Sequence, residues 1–238
     1  IGVRFLFSSL KQENNNKMMY HGTCFETTNP LYSMHKVFKI YTHFYQPKKD
    51  DVILDLGANV GVLSIYFSSL LNDDGQVYAI EPDKKNILGI HDHLSFNEQF
   101  SSKVSISNEL IWKEDTFVEF HEEAGTGSSV FFKAKQANTV KKPAISLDSW
   151  VKKNNLKKVD FIKMDIEGAE VEAVEGAINT IKKYQPNFAI ADYHIINGEP
   201  TYIKIEKLFD DMGYPYKTIK FDSSEIITFA GPCVANLN

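Results

Sequence analysis

No stretch of this chain approaches the roughly 20 consecutive apolar residues needed to cross a bilayer. The apolar start, Ile1-Gly2-Val3-Arg4-Phe5-Leu6-Phe7, is too short for a signal peptide as it stands. Because the chain does not open with Met, this leaves targeting unread. Cysteine is scarce: Cys24 and Cys233 lie far apart and make neither a metal-ligand spacing nor a redox pair. They are expected to be two thiols in a reducing, cytoplasmic setting, with one bridge between the chain ends as the alternative. Cationic excess is absent too. The 26 basic side chains are outnumbered by 31 acidic ones, giving net charge -5, which argues against a broad nucleic-acid face. No internal repeat is present, and Asn14-Asn15-Asn16 is the only low-complexity tract.

What the chain does have is length and apolar content. With 238 residues and 43% hydrophobic side chains it can bury a sizeable core. Lys11 to Lys17 is polar and Asn-rich and is expected to be loop. Tyr32 to Tyr45 is expected to be a helix packing on the domain C-terminal to it, and Pro47-Lys48-Lys49-Asp50 a boundary. We therefore expect an N-terminal extension over residues 1–48 and one domain over residues 49–238. From Val52 onward strands and helices alternate. Strands are expected from Val52 to Asp55, Gln76 to Glu81, Val104 to Glu109, Val159 to Asp165 and Phe188 to His194. Helices are expected from Val60 to Leu71, Asp83 to Phe96, Leu147 to Asn154, Ala169 to Tyr184 and Thr201 to Met212. A hairpin is expected between Phe117 to Phe120 and Val130 to Lys133, around a loop at residues 125–129. A closing pair completes the chain, from Tyr216 to Phe221 and from Glu225 to Ala230. This alternation gives a mostly parallel sheet with helices on both faces and a closing antiparallel hairpin.

The most informative stretch runs from Asp51 to Gly61. An apolar strand ends in Asp55 and opens into the small-residue turn Gly57-Ala58-Asn59-Val60-Gly61 before a helix. In open α/β sheets, ligands sit beyond the carboxyl ends of such strands. Two phosphate signatures are missing here. The turn is not G-x-G-x-x-G, and no Gly-Lys-Ser/Thr comes after it. A nucleoside ligand without phosphates fits better than NAD or ATP, and S-adenosylmethionine is such a ligand. Its amino acid part is expected at the turn backbone and, directly or through water, at Asp55. Glu81 ends the second strand, where two carboxylate oxygens can accept from the two hydroxyls of a ribose. Asp165 ends the fourth main strand, so Asp55, Glu81 and Asp165 are expected on one rim.

At these residues the chain resembles the FkbM family of class I, S-adenosylmethionine-dependent methyltransferases. The matching segments are Leu54-Asp55-Leu56-Gly57-Ala58-Asn59-Val60-Gly61, Ala79-Ile80-Glu81-Pro82-Asp83, Ile145-Ser146-Leu147-Asp148-Ser149-Trp150 and Asp160-Phe161-Ile162-Lys163-Met164-Asp165-Ile166-Glu167-Gly168-Ala169-Glu170. The resemblance covers about Val52 to Met212. It implies a Rossmann-like, seven-stranded methyltransferase sheet and O-methylation of a hydroxyl on a sugar or other small metabolite. It carries Asp55, Gly57, Asn59, Gly61 and Glu81 over as cofactor contacts, with Asp165 beside them. Asn108, expected at the adenine side, belongs to an Asn108-Glu109 pair that replaces the small residues common in the family.

Methyl transfer needs the acceptor in line with the methyl group, and a hydroxyl acceptor benefits from a base or a metal. Asp165, at a strand tip, is a candidate catalytic residue. Asp192-Tyr193-His194 ends the fifth strand, where the family often carries an acid and a histidine. On a strand Asp192 and His194 share a face, and His194 is the candidate base. No metal is assigned; a divalent ion on Asp165, Asp192 and His194 is the alternative. Glu167 and Glu170 suit the dipole of the helix they open. Ser128 and Ser129 are candidates for the acceptor wall, whereas His91 and His93 are expected on a helix surface. Lys163 is out of phase with the inward-facing positions and receives no role. The expected partner is a small-molecule acceptor, with no nucleic acid and no membrane span. An NAD-dependent oxidoreductase and a non-catalytic binding module are the competing readings.

Overall fold

The computed structural model describes residues 12–14, 17–20, 23–26, 31–122, 128–133, 137–221 and 225–237, with side chains from residue 36 onward. Strands β1 (Gln12–Asn14), β2 (Lys17–Tyr20) and β3 (Thr23–Glu26) form an antiparallel three-stranded sheet, so part of the stretch expected as loop is strand. Helix α1 (Leu31–Tyr41) leads into β4 (Val52–Leu56), α2 (Val62–Leu70), β5 (Gln76–Ile80), α3 (Lys84–Phe96), α4 (Glu98–Ser101) and β6 (Val104–Ser107). Strands β7 (Leu110–Trp112), β8 (Thr116–Glu122) and β9 (Asn138–Ser146) come next, then α5 (Leu147–Lys153), β10 (Phe161–Met164), α6 (Glu170–Glu175), α7 (Ile178–Tyr184) and β11 (Asn187–Ala191). The short pair β12 (Ile195–Ile196) and β13 (Glu199–Pro200) precedes α8 (Thr201–Met212), β14 (Tyr216–Lys220) and β15 (Ile226–Ala230).

Seven strands form the main sheet in the order β14-β15-β11-β10-β4-β5-β6. The strands from β4 to β6 step outward one way, and β10 and β11 step the other way from β4. All neighbours are parallel except those of β15, which runs against both β11 and β14. The order reverses between β4 and β10, and that is where a crevice opens in such sheets. This is the mostly parallel sheet with a closing antiparallel hairpin that the sequence implied.

Strand alternation divides the core into two faces. Ile53, Val77 and Phe161 point to one side, against Phe38, Tyr41, Phe67 and Ile90 from α1, α2 and α3. Leu54, Leu56, Ile162 and Met164 point to the other, against Trp150, Val174, Ile181 and Phe209 from α5 to α8. The ring of Phe38 stacks on Tyr66 at 4.0 Å between centroids, which fixes α1 against α2. Caps start the helices where the sequence places them. Asp83 accepts from the backbone N–H groups of Lys85 and Asn86 at α3, and Ser146 accepts from Ser149 at α5.

Two further elements and one residue differ from expectation. Strand β8 pairs antiparallel with β9, not with residues 130–133, and Pro143 lies inside β9 opposite Phe117. The tip at residues 125–127 and the turn at 222–224 lie outside the described residues. The helix expected from Ala169 to Tyr184 is broken into α6 and α7 at Gly176, where a Cβ would lie 2.2 Å from the Trp112 carbonyl oxygen. His93 is buried rather than on the surface, with Nδ1 2.7 Å from the Val60 carbonyl oxygen, while His91 is exposed as expected.

Candidate active site

A cavity of about 280 Å³ opens at the β4–β10 switch point, walled by the glycine turn, the ends of β5 and β10, and α1. The turn residues take left-handed backbone: φ is 72° at Gly57, 51° at Asn59 and 82° at Gly61. Its N–H groups are all engaged within the protein. Gly57 and Ala58 both donate to the Ile80 carbonyl, Asn59 to Glu81 Oε2 at 2.8 Å, Val60 to Asn59 Oδ1 and Gly61 to the Ala58 carbonyl. A phosphate-binding loop keeps such donors free for its anion. Gly57 is also needed for packing, since a Cβ there would lie 1.8 Å from the Asp165 carbonyl oxygen. Gly57→Ala is expected to cost more than about 3 kcal/mol, combining left-handed strain with overpacking. Gly198→Ala, at φ 84° with nothing within 4 Å of the added methyl, carries only the strain. Thermal melts that moved equally for both variants would refute the packing role of Gly57.

Glu81 lines this cavity, as expected, and is 4% exposed. Beyond Asn59, it accepts from the Asp83 N–H at 2.9 Å and from Asn86 Nδ2 at 3.3 Å through Oε1. Burial dominates these bonds and pushes its pKa up to about 7. Asn108 is exposed and does not line the cavity; its Nδ2 donates to the carbonyls of Glu81 and Pro82 and braces the β5 exit from outside. The apolar wall on that side comes instead from Leu110, Ile111 and Val130.

Asp55 is fully buried beneath the turn and does not line the cavity. One oxygen accepts from Ser64 Oγ at 2.6 Å, and the other lies 3.1 Å from Lys163 Nζ. Lys163, which received no role from the sequence, donates to the Leu56 and Gly57 carbonyls at 3.2 and 2.7 Å and stands over the Tyr41 ring. It ties the start of the turn to β10. The signal available for it was a lysine inside an otherwise apolar central strand, where a buried ammonium needs a partner.

Asp165 lines the cavity. Its Oδ2 accepts from the Tyr41 hydroxyl at 2.9 Å, and its Oδ1 is buried without a hydrogen-bond partner among the described residues. Burial, with Asp165 adding to it, raises the Tyr41 pKa well above the usual phenol value, so Tyr41 stays a donor. Sequence reasoning missed Tyr41, because its contact spans 124 positions and no motif surrounds it.

The fifth-strand pair departs from expectation. Asp192 is fully buried, is not among the cavity-lining residues, and neither of its oxygens has a hydrogen-bond partner among the described residues. Burial pushes its pKa well above the usual carboxylate range. His194 is also behind the cavity wall, 7% exposed. Its Nε2 lies 3.3 Å from Glu167 Oε2 and its Nδ1 3.3 Å from Glu170 Oε1. Burial alone lowers its pKa, but the two glutamates prevail and raise it to about 10. Held behind the wall by these two carboxylates, the ring does not face the cavity, which counts against its assignment as the base. Glu170 Oε1 also accepts from the Ile166 and Gly168 N–H groups, both at 3.1 Å, so it shapes the loop after β10.

Ser128 and Ser129 bring the β8–β9 connection across the mouth. Ser128 lines the cavity and donates to Asp83 Oδ2 at 2.6 Å. Ser129 is buried and donates to the Glu167 carbonyl at 2.7 Å.

The strand order, the crevice at its switch point and the acid-ended strands define a class I methyltransferase fold. The sequence profile described as Methyltransferase FkbM domain matches residues 55–216. The chain belongs to this family. A curated relative, the hexuronic acid methyltransferase AglP of Haloferax volcanii, is 24% identical over 149 residues, which is 63% of this chain and 58% of that protein. The chain thus spans less than two thirds of that relative's length. Among solved structures, Methyltransferase FkbM from Methylobacillus flagellatus superposes with a TM-score of 0.58 at 18% identity, over 79% of this chain and 45% of that one. Fibrillarin from Aeropyrum pernix, solved with natively bound S-adenosyl-L-methionine, gives 0.50 at 12% identity, over 89% and 80%. At these identities the structural likenesses establish the fold alone. Among the described residues no helix is long and apolar enough to cross a membrane.

Proposed function

We propose that this chain uses S-adenosylmethionine to methylate a hydroxyl of a sugar or other small metabolite. One observation carries the choice of donor: the N–H groups of the turn from Gly57 to Gly61 are all taken up within the protein, and the acid Glu81 stands beside it. That combination suits a phosphate-free nucleoside with a ribose diol and disfavours NAD. Glu81 would hold the ribose hydroxyls, and Leu110, Ile111 and Val130 would flank the base. When bound, the donor supplies a methyl group on a positively charged sulfur. Acidic groups around the cavity, Asp165 and Glu167 among them, match that charge.

At the other end of the cavity Asp165 presents a buried oxygen with no partner among the described residues. The acceptor's hydroxyl oxygen would form the new bond to carbon as the carbon–sulfur bond breaks, and Asp165 would take its proton. A relative named for hexuronic acid supports a sugar-type acceptor.

Calorimetry with S-adenosylmethionine and with NAD, and then transfer of labelled methyl to a panel of sugars and small hydroxyl compounds, tests the reading. Binding of NAD but not of S-adenosylmethionine would overturn it. Donor binding without transfer to any acceptor would favour a binding module. Asp165→Asn should lower turnover by about 100-fold or more while leaving donor affinity within a few-fold. Unchanged turnover would remove Asp165 from the chemistry.

A further inference from the structure

We propose that Asp165, Glu170 and His194 form a binding site for a divalent cation of the manganese class at the acceptor end of the cavity. The site stands on geometry alone; only its catalytic use rests on the methyl-transfer reading above. One ligand atom from each of the three residues lies within 4.8 Å of the others. Ligand atoms about 2.1 Å from a shared ion are about 3 to 4.2 Å apart, so small side-chain rotations close the set. Two carboxylates and one imidazole suit manganese better than a soft metal.

The second observation is independent of that spacing. Asp165 Oδ1, Glu170 Oε2 and both ring nitrogens of His194 have no hydrogen-bond partner among the described residues. Glu170 is fully buried and His194 is 7% exposed. The 3.3 Å contacts of His194 with the two glutamates are within ion-pair range, yet its ring N–H groups do not align on them as hydrogen bonds. Two buried carboxylate oxygens without a partner thus stand beside a buried imidazole, an arrangement that native proteins seldom leave unsatisfied and that a cation would satisfy.

The surroundings hold these ligands in place. Glu170 Oε1 is fixed by the Ile166 and Gly168 N–H groups, which leaves Oε2 as the free oxygen. Asp165 Oδ2 is fixed by Tyr41, which leaves Oδ1. The intervening loop carries left-handed backbone at Glu167, φ 55°, a conformation rare for a residue with a side chain. Partners of this kind set the orientation of metal ligands. Because Asp165 lines the cavity, an ion held there would take up the Oδ1 that otherwise receives the hydroxyl proton, and would instead raise the acidity of the acceptor hydroxyl so that its proton leaves to water. The alternative drawn from the sequence has Asp192 as the third ligand; in this set it is Glu170.

The test is titration of Mn2+ into the intact protein, read by calorimetry and by loss of the free Mn2+ electron paramagnetic resonance signal. Stoichiometric binding is expected, weakened at least about tenfold by Asp165→Asn and by His194→Gln. Asp165→Asn keeps an acceptor for Tyr41, so folding is preserved and the result remains readable. Asp192→Asn should leave Mn2+ affinity within a few-fold. Absence of Mn2+ binding, equal binding in Asp165→Asn, or an equally large loss in Asp192→Asn would overturn the assignment. Separate calorimetry with S-adenosylmethionine distinguishes the two readings. Donor binding without Mn2+ binding removes the metal site alone, and the reverse removes the donor alone.

Discussion

Replacing Glu81 with glutamine is expected to weaken S-adenosylmethionine binding by about 10- to 150-fold for each ribose hydroxyl bond lost, the worth of a hydrogen bond to a charged group. The prediction comes from the state of this carboxylate. It is nearly fully buried, its backbone and amide donors hold it in place, and its pKa is pushed up to about 7. Since the ionised form is the better acceptor for two hydroxyls, donor affinity should fall as pH drops through about 7 and level off above it. The sign is opposite for the stability of the empty protein. A carboxyl whose folded pKa lies above its unfolded value of about 4.5 favours the folded state fully below that value, and the contribution disappears as pH rises through about 7. Acidification therefore stabilises the unliganded chain at this site while weakening its ligand. Calorimetry at several pH values between 5.5 and 8.5, on the native chain and on Glu81→Gln, reads both. If the native chain binds equally well throughout, Glu81 does not hold the ribose.

The sheet was legible because its signals are local. Apolar blocks of strand length, the glycine turn and the acids at strand ends lie within short windows, and β4, β5, β10 and β11 came out near their observed bounds. Two of the three acids on the expected rim, Glu81 and Asp165, do line the cavity. What escaped depends on contacts distant in sequence or on geometry finer than a strand pattern. Lys163 was set aside on strand parity, but in a sheet covered on both faces parity does not separate inside from outside. Its partner is set by register, which places it beside Asp55 across the β4–β10 pair. Strand β9 was hidden by Pro143, a residue seldom found in the middle strand of a sheet, where β9 sits between β7 and β8. His194 looked like a base because it ends a strand where the family often carries an acid and a histidine. It lies instead behind the cavity wall against Glu167 and Glu170, and their reach depends on a left-handed turn that no pattern announced.

Lys163→Met is expected to produce the largest loss of stability, about 3–5 kcal/mol, the range for removing one partner of a buried pair. Three groups depend on that ammonium. Asp55, fully buried, would keep only Ser64, and the Leu56 and Gly57 carbonyls at the head of the turn would lose their donor. Such a loss is a third or more of the stability of many domains. Urea denaturation should show a lower midpoint with an unchanged slope. The double variant Asp55→Asn/Lys163→Met removes both charges, and it should recover at least about 1 kcal/mol relative to the sum of the single variants. Additive losses would mean that the two residues act independently, and a Lys163→Met midpoint close to the native one would dismiss the pair as a structural element. A stability role alone would lower folded protein without changing the affinity of what remains folded. Here donor affinity should fall as well, because the Gly57 carbonyl that Lys163 holds belongs to the turn that walls the cavity. The buried pair is thus the means by which β10 sets the shape of a loop that belongs to β4.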